Sequence, residues 1–199
     1  MGRPHGCSAA AIGAYLYAFG GEEDDVVQPG CMTMYNMATR KMEEGAKPPS
    51  ASQFCTGVAC CGLVYSLGGW DNELETQVAD MCIYNPDMDS WVGGPALPLA
   101  LSNIAAAEYM GCIYACGGWS VGEARYPSGS LLMLDPCTRS WARLPAMPTS
   151  VDVARAAVVA GRMYVPGGDT KEAGWVTVLP RQTNKLKHKR KGGAWLENC

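Results

Sequence analysis

The chain has 199 residues, of which 48% are hydrophobic and 18% charged, and its formal net charge is −3 with a pI near 5.4. These values are typical of a folded protein that can bury a core. They disfavour nucleic acid and anionic membranes as partners, because both require a basic surface. No apolar run reaches the roughly 18 residues that predict a membrane-spanning helix.

The first segment, "MGRPHGCSAAAIGAYLYAFGG", has an apolar run behind Arg3 and so has the outline of a signal peptide. Two short apolar strands around a glycine make up this run, and the same arrangement recurs three more times along the chain. The hairpin turns are predicted at Gly13, Gly62, Gly111 and Gly161. We therefore interpret the first segment as a structural hairpin and expect a cytoplasmic protein.

A Gly-Gly pair follows each predicted hairpin, and successive pairs are 48, 49 and 50 residues apart. The pairs are Gly20 and Gly21, Gly68 and Gly69, Gly117 and Gly118, and Gly167 and Gly168. A tyrosine lies three residues before each pair, at Tyr17, Tyr65, Tyr114 and Tyr164. A fixed period of this length predicts a repeat architecture with one supersecondary unit per repeat.

A second landmark follows each Gly-Gly pair, in segments such as "IYNPDMDSW" and "MLDPCTRSW". In each segment an aromatic or apolar residue precedes another large apolar residue by seven positions. The pairs are Tyr35 with Met42, Tyr84 with Trp91, Leu134 with Trp141, and Leu179 with Leu186. The landmark extends the repeat beyond the hairpin, and in the fourth unit it reaches into the basic run near the end of the chain.

The combination of strand, Gly-Gly, polar loop, "YNP"-like turn, tryptophan and closing "LPAMP" resembles the kelch repeat. The resemblance implies an all-β fold, a kelch-type β-propeller of four four-stranded antiparallel blades. We expect one domain over residues 1–199, with blades at about 3–51, 52–102, 103–154 and 155–199. It implies that the glycine pairs, the four tyrosines, Trp91 and Trp141 are structural repeat residues.

Kelch propellers usually have more than four blades, so the resemblance leaves three arrangements open: a small ring, an arc with exposed blade edges, or part of a longer protein. We expect the last. Unpaired strand edges invite pairing with another chain. The chain of 199 residues is therefore expected to self-associate through open blade edges or to be poorly stable by itself.

Catalytic and metal-binding patterns are scarce. The histidines are His5 and His188, both peripheral, and neither is placed as a general base beside a nucleophile. The copper oxidases among kelch-fold enzymes hold their metal with tyrosine and histidine, which two peripheral histidines cannot reproduce. Most of the ten cysteines lie in apolar runs without a CxxC pair, which favours reduced core thiols over a zinc site. We expect no enzyme activity, no cofactor and no metal.

The loops after the Gly-Gly pairs carry ten of the nineteen acidic residues, and two of these loops begin with tryptophan. Exposed tryptophan is typical of binding hot spots, and acids favour a basic partner segment. The candidate partner-binding residues are Glu22, Glu23, Asp24, Asp25, Trp70, Asp71, Glu73, Trp119 and Asp169. The alternative is that the acids only solvate the loops and each tryptophan packs on a neighbouring blade.

The resemblance implies protein recognition. The leading hypothesis is the substrate-recognition part of a kelch-like adaptor for a cullin-type ubiquitin ligase, although this chain shows no BTB or BACK domain. A cytoskeletal, actin-associated or scaffold kelch protein is the alternative, and a non-catalytic fragment of a kelch-fold enzyme is the third. The basic run from Lys185 to Lys191 predicts either a nuclear import signal or a charged edge strand.

Overall fold

The computed structural model describes residues 5–22, 32–50, 52–120, 128–166 and 176–178. Over these ranges the regular structure is entirely β, in four antiparallel sheets that follow one another along the chain. No helix in these ranges is long and apolar enough to cross a membrane. The all-β propeller architecture expected from the repeats is confirmed.

Each sheet is one blade, with its strands in chain order. Blade 1 contains β1 (His5–Ile12), β2 (Tyr15–Glu22), β3 (Met32–Asn36) and β4 (Lys41–Glu44). Blade 2 contains β5 (Thr56–Cys60), β6 (Leu63–Asp71), β7 (Thr76–Asn85) and β8 (Ser90–Gly93). Blade 3 contains β9 (Ala105–Tyr109), β10 (Cys112–Cys116), β11 (Leu131–Asp135) and β12 (Ser140–Leu144). The described part of blade 4 contains β13 (Ala157–Val159), β14 (Arg162–Val165) and β15 (Val176–Val178).

The fourth strand expected around Leu179 and Leu186 lies outside the described residues. Successive first strands contact one another, β1 with β5, β5 with β9, and β9 with β13. These four strands are therefore the ones nearest the propeller axis, and the later strands of each blade lie further out.

The first hairpins turn where the glycines predict. In blades 2, 3 and 4 the two turn residues both have positive φ, and the second is Gly62, Gly111 or Gly161, with φ of 75°, 75° and 72°. Two-residue turns of this kind match the right-handed twist of the flanking strands, and glycine adopts positive φ without steric cost.

The seven-residue landmark has a simple structural cause. Tyr84 lies directly opposite Trp91 across β7 and β8, and Leu134 lies opposite Trp141 across β11 and β12. Tyr35 and Met42 occupy the same positions in blade 1. Directly opposite residues share one face of an antiparallel sheet. In blades 2 and 3 the landmark therefore marks the face that is turned toward the preceding blade.

The blades pack through these faces. Val64 and Tyr84 of blade 2 are fully buried in a cluster with Tyr17, Phe19 and Met32 of blade 1. A second cluster joins Tyr65, Leu67 and Met81 of blade 2 to Ile113 and Leu134 of blade 3. Blade contacts supply the hydrophobic core, so the stability of each blade depends on its neighbour.

The two landmark tryptophans fix the links between blades. The indole N–H of Trp91 donates to the carbonyl oxygen of Ala46 over 2.8 Å, and that of Trp141 donates to the carbonyl oxygen of Pro95 over 3.0 Å. Ala46 and Pro95 both follow the fourth strand of the preceding blade. The structure therefore gives both tryptophans contacts between blades.

Asp89 adds a further connection between blades 1 and 2. Its Oδ1 accepts hydrogen bonds from the Ala46 backbone N–H at 2.7 Å and from the Tyr84 hydroxyl at 2.8 Å. These two bonds hold the pKa of the Asp89 carboxyl below its ordinary value. Burial, and then the bond to Asp89, raise the pKa of the Tyr84 hydroxyl.

The cysteines of the described ranges are free thiols, and five of them are buried: Cys55, Cys60, Cys82, Cys112 and Cys116. Burial raises the pKa of Cys55 and Cys112 to about 11 and that of Cys116 to about 12. Thiols with such pKa values are poor nucleophiles and pack as small apolar groups. Core packing by these cysteines agrees with the sequence analysis.

Candidate protein-binding face

One face of the propeller collects the candidate residues. The loop from the second to the third strand of a blade and the link into the next first strand both leave at the end of the blade that carries the Gly-Gly pair. We call this the Gly-Gly face. Its described residues are Gln53, Phe54, Trp70 to Glu75, Ser102, Asn103, Trp119, Asp152 and Val153.

Trp70 and Trp119 have the same backbone position in neighbouring blades. Trp70 exchanges two backbone hydrogen bonds with Gln53, of 2.7 and 3.0 Å, and Trp119 exchanges two with Ser102, of 2.8 and 3.0 Å. Gly69, just before Trp70, donates its N–H to the carbonyl oxygen of Leu101, which precedes Ser102. The two tryptophans are thus held by one continuous backbone network.

Their side chains differ. Trp119 is 47% exposed, whereas Trp70 is half-buried. A half-buried indole has part of its surface covered by the protein, so Trp70 combines packing with a residual contact surface. Trp119 is the more accessible aromatic residue for a partner.

Asp71 shapes the loop between β6 and β7. Its Oδ1 accepts backbone hydrogen bonds from Glu73 at 2.8 Å and from Leu74 at 3.0 Å, which is the geometry of an Asx turn. One Asp71 oxygen is therefore used within the loop. Glu73, Leu74 and Glu75 are exposed, and Leu74 exposes 67% of its surface. The loop presents an apolar side chain between two carboxylates.

Four residues that the sequence analysis missed lie at the starts of successive blades: Gly6, Phe54, Asn103 and Val153. All four have φ between 51° and 71°, and their spacings repeat those of the Gly-Gly pairs. Phe54 donates its N–H to the Gly6 carbonyl, and Asn103 donates to the Phe54 carbonyl, both at 2.9 Å. Phe54 is 38% exposed and Val153 is 52% exposed. We call these four residues the central ring.

The central ring adds apolar surface to the Gly-Gly face beside the first strands. A left-handed conformation at the β-branched Val153 is unusual. The Val153 N–H donates a hydrogen bond to Oδ1 of Asp152 at 2.7 Å. The repeated spacing was the signal that could have revealed these positions, because the four side chains have no chemistry in common.

Other candidate residues are not described. Glu23, Asp24, Asp25, Asp169, Gly167 and Gly168 lie outside the described residues, as does the basic run from Lys185 to Lys191. Glu22 is the last residue of β2. Asp152 is buried, so the acidic surface of the described face rests on Asp71, Glu73 and Glu75.

The described part of the Gly-Gly face carries side chains suited to protein recognition. No group of three or more His, Cys, Asp or Glu side chains in the described ranges is arranged to hold a metal ion. Exposed aromatic and aliphatic side chains beside carboxylates can bury a partner's apolar side chains and neutralise its cations.

Comparison with known proteins supports the repeat assignment. Residues 100–148 match the model of the Kelch motif. Human Kelch-like protein 33 is 31% identical over 134 residues, which are 66% of this chain and 24% of that protein. Kelch repeat and BTB domain-containing protein 12 of Danio rerio is 34% identical over 115 residues, covering 51% of this chain and 18% of that protein. Human Kelch-like protein 23 is 31% identical over 80 residues, or 40% of this chain and 14% of that protein.

The chain thus spans about a quarter or less of the length of the curated relatives it matches. A solved structure, described as "Structure of YjhT", superposes with a TM-score of 0.72 over 90% of this chain and 66% of that one. Its sequence identity is 16%, so the likeness bears on the fold alone. Residues 100–148 therefore match a Kelch motif, the chain is similar to Kelch-like proteins, and its described residues fold as blades of a β-propeller, the fold that its sequence predicts.

Proposed function

We propose that the Gly-Gly face is a protein-recognition surface for a segment with apolar and basic side chains. The observation that carries this proposal is the exposure of Trp119 on a backbone held by a continuous hydrogen-bond network. A fixed backbone lowers the ordering cost of binding, and tryptophan is enriched in interface hot spots. Phe54, Leu74 and Val153 supply further exposed apolar surface on the same face.

We further propose that the chain is the substrate-recognition part of a kelch-like adaptor for a cullin-type ubiquitin ligase. The similarity to Kelch-like proteins and to a Kelch repeat and BTB domain-containing protein supports this proposal. In such an adaptor the propeller binds the substrate and another part of the protein binds the ligase. The cytoplasmic location, and nuclear entry through the basic run, stay predictions.

Peptides selected from a random display library against the chain are expected to be rich in Lys or Arg around an apolar anchor.

Trp119→Ala should weaken the binding of these peptides about 5- to 30-fold, which corresponds to about 1–2 kcal/mol at a hot spot. Trp70→Ala should also weaken it, with an added loss of stability because Trp70 is half-buried. Glu73→Gln should reduce the salt dependence of binding. Fluorescence anisotropy and thermal melting measure these effects.

Matched controls lie on the opposite face. Met110 is 77% exposed in the turn between β9 and β10, and Asp87 is exposed in the turn between β7 and β8. Met110→Ala and Asp87→Asn should leave peptide affinity unchanged. Equal losses from Met110→Ala and Trp119→Ala would contradict recognition by the Gly-Gly face.

The adaptor role is tested in cells with the same variant. Immunoprecipitation of a longer isoform that includes the ligase-binding part should recover cullin equally with the wild-type sequence and with Trp119→Ala, whereas ubiquitination of a reporter fused to a selected peptide should fall with the variant. Cosedimentation with filamentous actin that Trp119→Ala abolishes, together with no cullin recovery, would instead support a cytoskeletal role and contradict the adaptor proposal.

We also propose that the chain self-associates through blade 1. In blades 2 and 3 the cross-strand rows of Val64, Tyr84 and Trp91, and of Ile113, Leu134 and Trp141, face the preceding blade. The equivalent row of blade 1 is Leu16, Tyr35 and Met42. Val64 and Ile113 are fully buried, whereas Leu16 is 39% and Met42 is 71% exposed. A blade-packing face is thus left accessible to a second copy.

Light scattering of the 199-residue chain is expected to show a mass that rises with concentration. The double substitution Leu16→Lys and Met42→Lys should shift the chain toward the monomer, because a charge cannot be buried in an apolar interface without a partner. Met110→Lys, in an exposed turn outside the row, is the control. A monomeric wild type over the whole accessible concentration range would rule the proposal out.

A further inference from the structure

An apolar cleft separates blades 2 and 3 near the turns opposite the Gly-Gly face. Its volume is about 130 Å³, and its walls include Tyr65, Ile83 and Val92 of blade 2 and Leu134 and Arg139 of blade 3. Among the residues that line it, all within the described ranges, Arg139 is the only charged one. The cleft is therefore an apolar space with a cation beside it.

Comparison of two neighbouring blade interfaces explains the space. Tyr84 of blade 2 fills the corresponding position against blade 1: its ring centroid lies 5.7 Å from that of Tyr17, and its hydroxyl lies 3.4 Å from the sulfur of Met34. In the next repeat Leu134 replaces Tyr84, as the cross-strand partner of Trp141 where Tyr84 is the partner of Trp91. A leucine side chain is shorter than that of tyrosine and leaves the place of the phenol ring empty. The interface between blades 2 and 3 therefore retains a cleft at this position.

The polar end of the tyrosine is also replaced. In blade 2 the Tyr84 hydroxyl donates to Asp89 at 2.8 Å. The repeat position of Asp89 is occupied by Arg139 in blade 3, since each residue lies two positions before the landmark tryptophan and both have positive φ. A carboxylate, which accepts hydrogen bonds, is thus replaced by a guanidinium group, which donates them. A ligand placed where the phenol would lie meets a cation at its polar end.

One hydrogen bond positions the Arg139 side chain and uses only one of its N–H donors. One of its nitrogens, Nη2, donates to the Gly93 carbonyl oxygen at 3.0 Å, and the side chain is exposed. A guanidinium group has five N–H donors, so donors remain for a further acceptor. Val92 is 41% exposed, so the cleft is accessible from solvent beside Arg139.

We propose that the cleft between blades 2 and 3 binds a small aromatic carboxylate, with its ring against Tyr65, Ile83 and Leu134 and its carboxylate on Arg139. The size fits this class, because an apolar protein cavity of about 150 Å³ stays dry and binds benzene. The carboxylate is favoured over a neutral group because charge-assisted hydrogen bonds to Arg are the stronger ones. The ligand can be a free aromatic acid or a peptide ending in phenylalanine, since both present a phenyl ring near a carboxylate.

The proposal is tested with phenylacetate and its neutral analogue phenylacetamide, by calorimetry and thermal melting of the 199-residue chain. Phenylacetate should bind more tightly and raise the Tm by roughly 3 to 6 °C at ten times its Kd. N-acetylphenylalanine, its amide, and a short peptide ending in phenylalanine distinguish the two sources. A preference for the peptide over phenylacetate assigns the cleft to chain termini, and the reverse assigns it to free acids.

Variants locate the binding. Arg139→Gln should weaken phenylacetate about tenfold or more, the effect of losing a hydrogen bond to a charged group, and leave phenylacetamide unchanged. Arg143→Gln is the matched control, because Arg143 also donates from Nη2 to a backbone carbonyl, that of Pro98 at 3.0 Å, but does not line the cleft. Leu134→Tyr supplies the missing phenol and should abolish binding of both probes while the protein remains folded.

Ile83→Phe, which narrows the cleft from the opposite wall, replaces Leu134→Tyr if that variant does not fold. Equal affinity for phenylacetate and phenylacetamide would overturn the role of Arg139. Absence of binding to the wild type, or unchanged binding to the variant with the filled cleft, would overturn the site itself. Since the cleft is distant from the Gly-Gly face, none of these outcomes bears on protein recognition there.

Discussion

Replacing Gly68 by alanine is expected to lower the free energy of unfolding by about 3 to 5 kcal/mol. Gly68 has φ of 56°, and a left-handed conformation costs an L-residue roughly 1–2 kcal/mol. A Cβ atom at this position would also overlap the carbonyl oxygen of Leu101, in the link to blade 3. That link must move, which costs typically 1–3 kcal/mol and weakens the 2.9 Å hydrogen bond from Gly69 to Leu101. Urea denaturation followed by tryptophan fluorescence measures the loss.

Gly62→Ala is the matched control. Gly62 also has positive φ, 75°, but a Cβ atom there would meet nothing within 4 Å. Its replacement should cost only the conformational strain of about 1–2 kcal/mol. If both variants lose the same free energy, the close approach of the link to Gly68 has no energetic importance, and the glycine pair is explained by its backbone conformation alone.

The close approach of the link to Gly68 could not be predicted from the sequence of the repeat. The regular spacing of the Gly-Gly pairs was enough to predict blades, hairpins and their order. The reason for the second glycine was not visible, since it depends on a neighbouring segment: a Cβ atom on Gly118 would lie 2.6 Å from the carbonyl oxygen of Ser102. Contacts between distant segments require the packed arrangement of the blades.

The candidate face was predicted less completely for a similar reason. Trp70 and Trp119 are equivalent in sequence, yet the structure leaves Trp119 exposed and half-buries Trp70. Phe54 and Val153 were missed because the repeat conserves their backbone conformation and not their side-chain type. The exposure of a side chain depends on neighbours that are far away in sequence. The repeat pattern therefore identifies equivalent positions in the blades better than it identifies which side chains are accessible.

The cleft beside Leu134 illustrates the same point within the core. The replacement of the landmark tyrosine by leucine and of Asp89 by Arg139 can be found by aligning the repeats. Whether the neighbouring side chains fill the resulting space is decided by packing alone, and the cleft shows that they do not. Cores tolerate such volume changes at a cost of stability, which a bound ligand can restore.

Trp91→Ala is the second substitution with a large expected effect, a loss of roughly 3 kcal/mol in the free energy of unfolding, at the lower end for large-to-small core changes because Trp91 is partly buried. The indole ring packs at centroid distances of 5.4 Å from Phe19 and 5.2 Å from Tyr84, and its N–H bonds the Ala46 carbonyl at 2.8 Å. Removing it opens the interface between blades 1 and 2. Urea denaturation measures the loss, as for Gly68→Ala.

Two controls separate the causes. Trp91→Phe keeps an aromatic ring and removes the hydrogen bond, so it should cost only about 1 kcal/mol for that bond plus a smaller packing loss. Met42→Ala changes the same repeat position in blade 1, where the side chain is 71% exposed in the single chain. At a protein concentration low enough to keep the chain monomeric, it should alter the free energy of unfolding by no more than about 0.5 kcal/mol. A loss that grows with protein concentration would mean that a second copy of the chain covers the blade 1 row. A loss below 1 kcal/mol for Trp91→Ala would contradict the role of this tryptophan as the packing residue between blades.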